Sequence, residues 1–141
     1  MDAFDTNALI YAVLPGNNLG ARVLALFTAA DATSGDPRVG IGSVLLLPEL
    51  LCKPMRSGAS NEVDALLRLV SRLDLRPVDR ATAMLAAQLA AKYALKAIDA
   101  THLATAVVVG ADRFITNNRR DFPTTIKEVD VVYPDRLPDP D

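Results

Sequence analysis

The chain has little of what several large classes of protein depend on. Its single cysteine, Cys52, cannot close an intramolecular disulfide, so the fold must rest on a hydrophobic core rather than on crosslinks. There is no surplus of positive charge either: 15 Lys and Arg stand against 17 Asp and Glu, a net charge of −2. That argues against a strongly basic, sequence-independent coat for nucleic acid. It does not exclude a nuclease, because acids committed to bound cations are offset by those cations. No apolar run approaches the roughly 18 residues that cross a bilayer, since Asp79, Lys92, Lys96 and Asp99 interrupt the region richest in alanine and leucine. Asp2 and Asp5 stand at the N-terminus where a secretory signal would carry basic residues, so the expected location is cytoplasmic, without a membrane. A glycine-rich phosphate loop and a Ser/His/Asp arrangement are also missing, which leaves NTPase and serine-hydrolase chemistry without its residues. Cys52 and His102, the only histidine, cannot complete a zinc site between them.

What is present is apolar material: half of the 141 residues, with no break in composition. One domain over 1–141 is expected, with a loosely packed tail from about Pro134. Met1 to Phe4 reads as a short buried strand, Ala8 to Val13 as a packed helical stretch stopped by Pro15-Gly16, and Leu19 to Ala30 as a helix. Ser34-Gly35-Asp36-Pro37 reads as a loop, and Val39 to Gly42 as an interior strand whose glycines allow close backbone approach. A helix from about Leu45 to Met55 follows, capped by Ser43 and carrying an awkward Pro48. Ser60-Asn61 caps an amphipathic helix with apolar positions Val63, Leu66, Leu67, Val70 and Leu73; Leu75 to Val78 is a brief extended segment. Asp79 suits the N-cap of a helix over about Arg80 to Tyr93, and a further helix carries Asp99 and ends at Gly110. Arg113 to Thr116 and Val129 to Tyr133 close the set as strands. Strands alternating with helices call for a three-layer α/β/α fold around a mainly parallel sheet.

In such a sheet the carboxyl ends of the strands and the N-termini of the helices share one edge, where ligand sites form. Asp5 follows the first strand, Asp99 opens a helix, and Asn118 and Asp121 follow the fourth strand, all at that edge. Glu49, two turns into its predicted helix, can lean back toward it. Carboxylates brought this close repel one another and take up protons or a cation. Hard oxygen donors select Mg²⁺ or Mn²⁺, and those ions suit metal-assisted phosphodiester hydrolysis.

Phe4-Asp5-Thr6-Asn7, Glu49, the run Asp99-Ala100-Thr101-His102-Leu103-Ala104-Thr105-Ala106 and the stretch from Gly110 to Phe122 together resemble the PIN-domain family, in particular its VapC toxins. The resemblance spans almost the whole chain. It implies a PIN-like α/β/α fold and a Mg²⁺- or Mn²⁺-dependent ribonuclease acting on RNA, the toxin of a toxin–antitoxin pair. Such proteins are usually homodimeric and held inactive by a small antitoxin protein. Carried over, Asp5, Glu49 and Asp99 match the regular acidic ligands. Asp121 is assigned as the fourth acid, with Asn118 as a direct or water-mediated helper at a place where many relatives carry an aspartate. Thr6 and Thr116 are expected to orient carboxylates, Asn7 to hold the first helical turn, and Arg119 and Arg120 to be candidate RNA contacts. His102 is expected to pack and hydrogen-bond rather than to ligate.

Each residue also has a plainer reading. Asp5 and Asp99 could be helix N-caps, Glu49 a solvated helix position, Asp121 a surface ion-pair partner, and Arg119 and Arg120 a solvated basic turn. Two other functions stand beside the nuclease. One is a different Mg²⁺-dependent phosphoryl-transfer enzyme with Asp5 as nucleophile, although Asn7 stands where that chemistry wants a second aspartate. The other is a catalytically impaired PIN-like RNA-binding module, supported by Asn118.

Overall fold

The computed structural model describes residues 1–29 and 38–140; the loop expected at Ser34 to Pro37 lies outside them. Five strands, β1 (Asp2–Phe4), β2 (Gly40–Ser43), β3 (Leu73–Arg76), β4 (Arg113–Ile115) and β5 (Asp130–Val132), form one sheet in the order β3-β2-β1-β4-β5. Every pair is parallel; Phe4 lies beside Ile115 and Ile115 beside Val132. Six helices connect or flank them: α1 (Thr6–Ala12), α2 (Asn18–Ala29), α3 (Leu46–Ser57), α4 (Ser60–Val70), α5 (Arg80–Tyr93) and α6 (Ala97–Val108).

The strands are short but buried on both faces, and their two-residue period divides the core cleanly. Phe4, Ile115 and Val132 face α1 to α4, where Leu9, Val23, Phe27, Leu46, Leu50 and Leu66 are buried with them. Ala3, Phe114 and Val131 face α5 and α6, against Leu89, Leu103, Ala104 and Phe122. The expected three layers follow. Small residues set the spacing: a Cβ on Gly40 would stand 2.5 Å from the Asp2 carbonyl oxygen, and one on Gly20 would strike the Tyr11 carbonyl where α2 crosses α1.

Local chemistry fixes the helix ends. Asp79 caps α5 by accepting from the Thr82 N–H at 2.8 Å. Gly58, at φ +72, closes α3 with N–H groups turned back to Met55 and Pro54 carbonyls. Pro48 causes no break, because α3 starts at Leu46 and a proline in the first turn has no hydrogen bond to lose. The interior proline is Pro54, a position the sequence pattern did not single out. Leu73 leaves the helical pattern expected for it and enters β3, buried against the same core. The segment after β5 is tighter than expected: a 3-10 turn at Pro134–Arg136 precedes Leu137, only 2 % exposed, and Arg22 donates to the Asp135 and Leu137 carbonyls.

The order of strands locates the ligand edge. From β1 the chain adds β2 and then β3 on one side, and β4 then returns to the other side of β1. The crevice between β1 and β4, at their carboxyl ends, is therefore the topological switch point where open α/β sheets bind ligands.

Candidate active site at the carboxyl edge of the sheet

Asp5 is the first residue past β1 and Thr116 the first past β4, so the two flank that crevice. The Asp5 N–H donates to the Ile115 carbonyl at 2.9 Å, which ties its backbone to the neighbouring strand. Asp5 occupies the N-cap position of α1 but makes no capping bond. Its Oδ2 instead accepts from the Thr116 hydroxyl at 2.8 Å, and that hydroxyl accepts from the Asn118 N–H at 3.0 Å. This chain of donors aims a carboxylate that is only 2 % exposed. Burial, with a small push from nearby Asp99, raises the Asp5 pKa to about 6 against the opposing pull of His102 and the Thr116 hydrogen bond.

Glu49 arrives from the first turn of α3, not two turns in, because the helix starts at Leu46 after a turn at Val44-Leu45. One of its oxygens, Oε1, accepts from the Thr6 hydroxyl and contacts His102 Nε2 at 2.6 Å. The His102 hydrogen bond is the main reason its pKa lies below the usual glutamate value. Asp99 is the third residue of α6, inside the first turn, where the helix dipole favours an anion; it is not the N-cap, which is Lys96. Its pKa is raised, first by burial and then by the charges of Asp121 and Glu49. Asp99 is thus the carboxylate that senses all three others.

Asp121 sits in the loop after β4, half-buried, and Asn118 holds it from two sides. Asn118 Nδ2 donates to Asp121 Oδ2 at 3.0 Å, and the Asp121 N–H donates to Asn118 Oδ1 at 3.2 Å. In that arrangement Asn118 orients Asp121, the carboxylate that faces Asp99. Asn7 is half-buried and makes no side-chain hydrogen bond among the described residues, so the hold on the first turn of α1 does not come from its side chain.

The two arginines are near the acids in sequence but do not neutralise them. Arg119 pairs with Asp135 and lies 4.5 Å above the Tyr133 ring. Arg120 is exposed, with no ion pair or hydrogen bond among the described residues. His102 is buried in α6, three residues after Asp99 and on the same helix face. That spacing was the signal available for its contact with Glu49, which the sequence alone did not specify.

Among the described residues, no three His, Cys, Asp or Glu side chains already stand close enough to chelate one ion. The donor chemistry nevertheless fits a hard divalent cation. Four carboxylates meet at one edge, burial and mutual repulsion raise two of them, and the partners are hydroxyls, an amide and an imidazole rather than ammonium or guanidinium groups.

The family model for the PIN domain matches residues 3–128. Among solved structures, the chain is similar to a toxin-antitoxin complex from Klebsiella pneumoniae, at 23 % identity and a TM-score of 0.69 over 95 % of this chain and 98 % of that one. It is also similar to VapBC2 from Rickettsia felis bound to a promoter DNA fragment, at 17 % identity and a TM-score of 0.71 over 94 % and 97 % of the two chains. No curated protein matches it by sequence.

Proposed function

Because the chain belongs to the PIN domain family, we propose that it is a Mg²⁺- or Mn²⁺-dependent endoribonuclease and the toxin of a toxin–antitoxin pair. The observation that carries this reading is the gathering of Asp5, Glu49, Asp99 and Asp121 at one edge, where among the described residues none has a Lys or Arg as hydrogen-bond partner and Lys96 acts on Asp99 only through space. Asp5, Glu49, Asp99 and Asp121 would hold the cation. When bound, such an ion would lower the pKa of water and stabilise charge on the phosphate and the leaving oxygen.

The chain's own groups supply position and charge. Thr116, fixed by the Asn118 N–H, aims Asp5; Thr6 engages Glu49; and the Asn118 side chain aims Asp121. The buried setting of Asp5 strengthens its electrostatic interactions compared with water. Products with a 5′-phosphate and a 3′-hydroxyl are expected. Arg119 and Arg120 are candidate contacts for RNA phosphates, Arg119 after release from an exposed ion pair that holds it only weakly.

A small antitoxin protein as partner is supported by the toxin-antitoxin assembly among the similar structures. A homodimer and a cytoplasmic location belong to the same reading. Among the described residues, no helix is long and apolar enough to cross a membrane.

The test is cleavage of structured RNA by the purified chain, freed of any inhibitor, with Mn²⁺ or Mg²⁺. Wild type should cleave and Asp5→Asn should not. Equal activity in the two, or none in either, overturns the proposal.

A further inference from the structure

We propose that His102 is a positioning residue: with Thr6 it grips Glu49 by a single carboxylate oxygen, Oε1, and so presents Oε2 as the oxygen available to a divalent cation. This rests on the reading of the acidic cluster as a cation site, and adds to it a residue expected from the sequence to pack and hydrogen-bond rather than to ligate.

Three atoms define the grip. His102 Nε2 lies 2.6 Å from Glu49 Oε1, the Thr6 hydroxyl donates to the same oxygen, and Thr6 Oγ1 is 3.4 Å from Nε2. Among the described residues Oε2 accepts no hydrogen bond. An ionised carboxylate only accepts, so Nε2 carries a proton. Nδ1 is buried and, among the described residues, has no partner.

That orphan atom is informative. A buried polar group without a partner is costly, and most of the buried residues of α6 beside it are apolar, Leu103, Ala104 and Ala106 among them, with Thr105 the polar exception. An apolar side chain at 102 would avoid the cost. What the imidazole provides in return is its hydrogen bond to Glu49, made at the nitrogen that Thr6 Oγ1 also approaches. A free glutamate has three rotatable bonds and loses side-chain entropy when fixed; with Oε1 already held, less of that loss remains to be met when a cation binds. Groups that hydrogen-bond a metal ligand typically cost about 10- to 100-fold in metal affinity when removed.

The experiment is a Mn²⁺ titration followed by the EPR signal of the free ion, at one pH, with thermal unfolding of the metal-free proteins alongside. His102→Phe should weaken Mn²⁺ binding by about tenfold or more while unfolding at or above the wild-type temperature, because the orphan atom is gone. His102→Gln, whose amide can donate from near the Nε2 position, should recover most of the affinity. In a Glu49→Gln background His102→Phe should cost nothing further. Should His102→Phe fail to fold, Thr6→Val tests the other half of the grip by the same cycle, with a smaller loss that again vanishes in Glu49→Gln. Wild-type affinity in His102→Phe, or an equal loss with and without Glu49, overturns the proposal. Absence of Mn²⁺ binding in the wild type, or binding that survives Asp99→Asn, overturns the cation-site reading itself and this inference with it.

Discussion

Acidic side chains gather at both ends of the central sheet, and the two ends treat them in opposite ways. At the amino ends of the strands Asp2, Asp112 and Asp74 each have a cation. Arg113 donates to both oxygens of Asp2 at 2.9 and 2.8 Å, Asp112 pairs with the α-amino group of Met1, and Asp74 pairs with Arg76 at 3.3 Å and Arg38 at 4.0 Å. At the carboxyl ends, Asp5, Glu49 and Asp121 are held by hydroxyls, an imidazole and an amide, and the Asp99 side chain makes no hydrogen bond among the described residues. The pKa directions record the contrast. The ammonium beside it pulls Asp112 down, whereas burial and neighbouring carboxylates push Asp5 and Asp99 up. Acids that serve stability are neutralised within the fold, whereas at the switch point Asp5 and Asp99 are left with charge that the nearby imidazole and Lys96 only partly offset, and Glu49 is lowered by its His102 hydrogen bond. An acid's partners, more than its proximity to other acids, therefore separate a structural role from a chemical one.

The largest expected effect tests whether the two ends differ in function. Asp99→Asn should lower RNA cleavage by about 10²- to 10³-fold, the size typical of removing one group that stabilises charge at a reacting centre. Asp2→Asn, at the opposite end, should leave the rate per folded molecule unchanged. Cleavage assays on both variants, with circular dichroism to check folding, make the comparison; equal loss in both would erase it.

The next effect is on stability. The folded-state pKa of Asp5, about 6, lies above its ordinary 3.8, so between those values the native state binds more protons than the unfolded chain. Its contribution therefore destabilises the metal-free protein above about pH 6, and the penalty fades as pH falls toward 4. Asp5→Asn, which can still accept from Thr116, should stabilise the metal-free protein by about 1–3 kcal/mol near pH 7.5, with the gain gone near pH 4. Denaturant unfolding at the two pH values measures it; a destabilised variant at pH 7.5 would contradict the only partly offset charge assigned to this end.

The smallest effect belongs to the paired end. Arg113→Ala leaves Asp2 without its bidentate partner, but the Arg113 and Asp2 side chains are 33 % and 18 % exposed, so solvent screens part of the loss. A destabilisation of about 1 kcal/mol is expected, with cleavage unaffected once the protein is folded. Thermal unfolding alongside the RNA assay checks both halves.

Much of this was legible in the sequence because it depends on short-range rules. The alternations and one cap worked: Asp79 starts α5, α6 carries Asp99 in its first turn, and adjacent residues such as Phe114 and Ile115 split between the two cores, whereas the caps expected at Ser43 and Ser60-Asn61 fall to Leu45 and Ala59, without a side-chain capping bond. Misplacements arose where tertiary contacts overrode a local pattern. Leu73 continued a helical period yet joined β3, and the proline-rich tail found a socket for Leu137 beside α2.

The sequence by itself determined the layered α/β class and which acids could reach one edge, since residue period and the order of elements are properties of the chain. Only the tertiary structure decided which acids face one another and what each is bonded to. Asp99 as the hub, Asn118 clasping Asp121, and His102 reaching Glu49 from 53 positions away depend on side-chain contacts between elements distant in sequence. Hydrogen bonds and Coulomb forces act through space over a few ångström, and no spacing along the chain encodes those distances until the sheet brings β1 and β4 side by side.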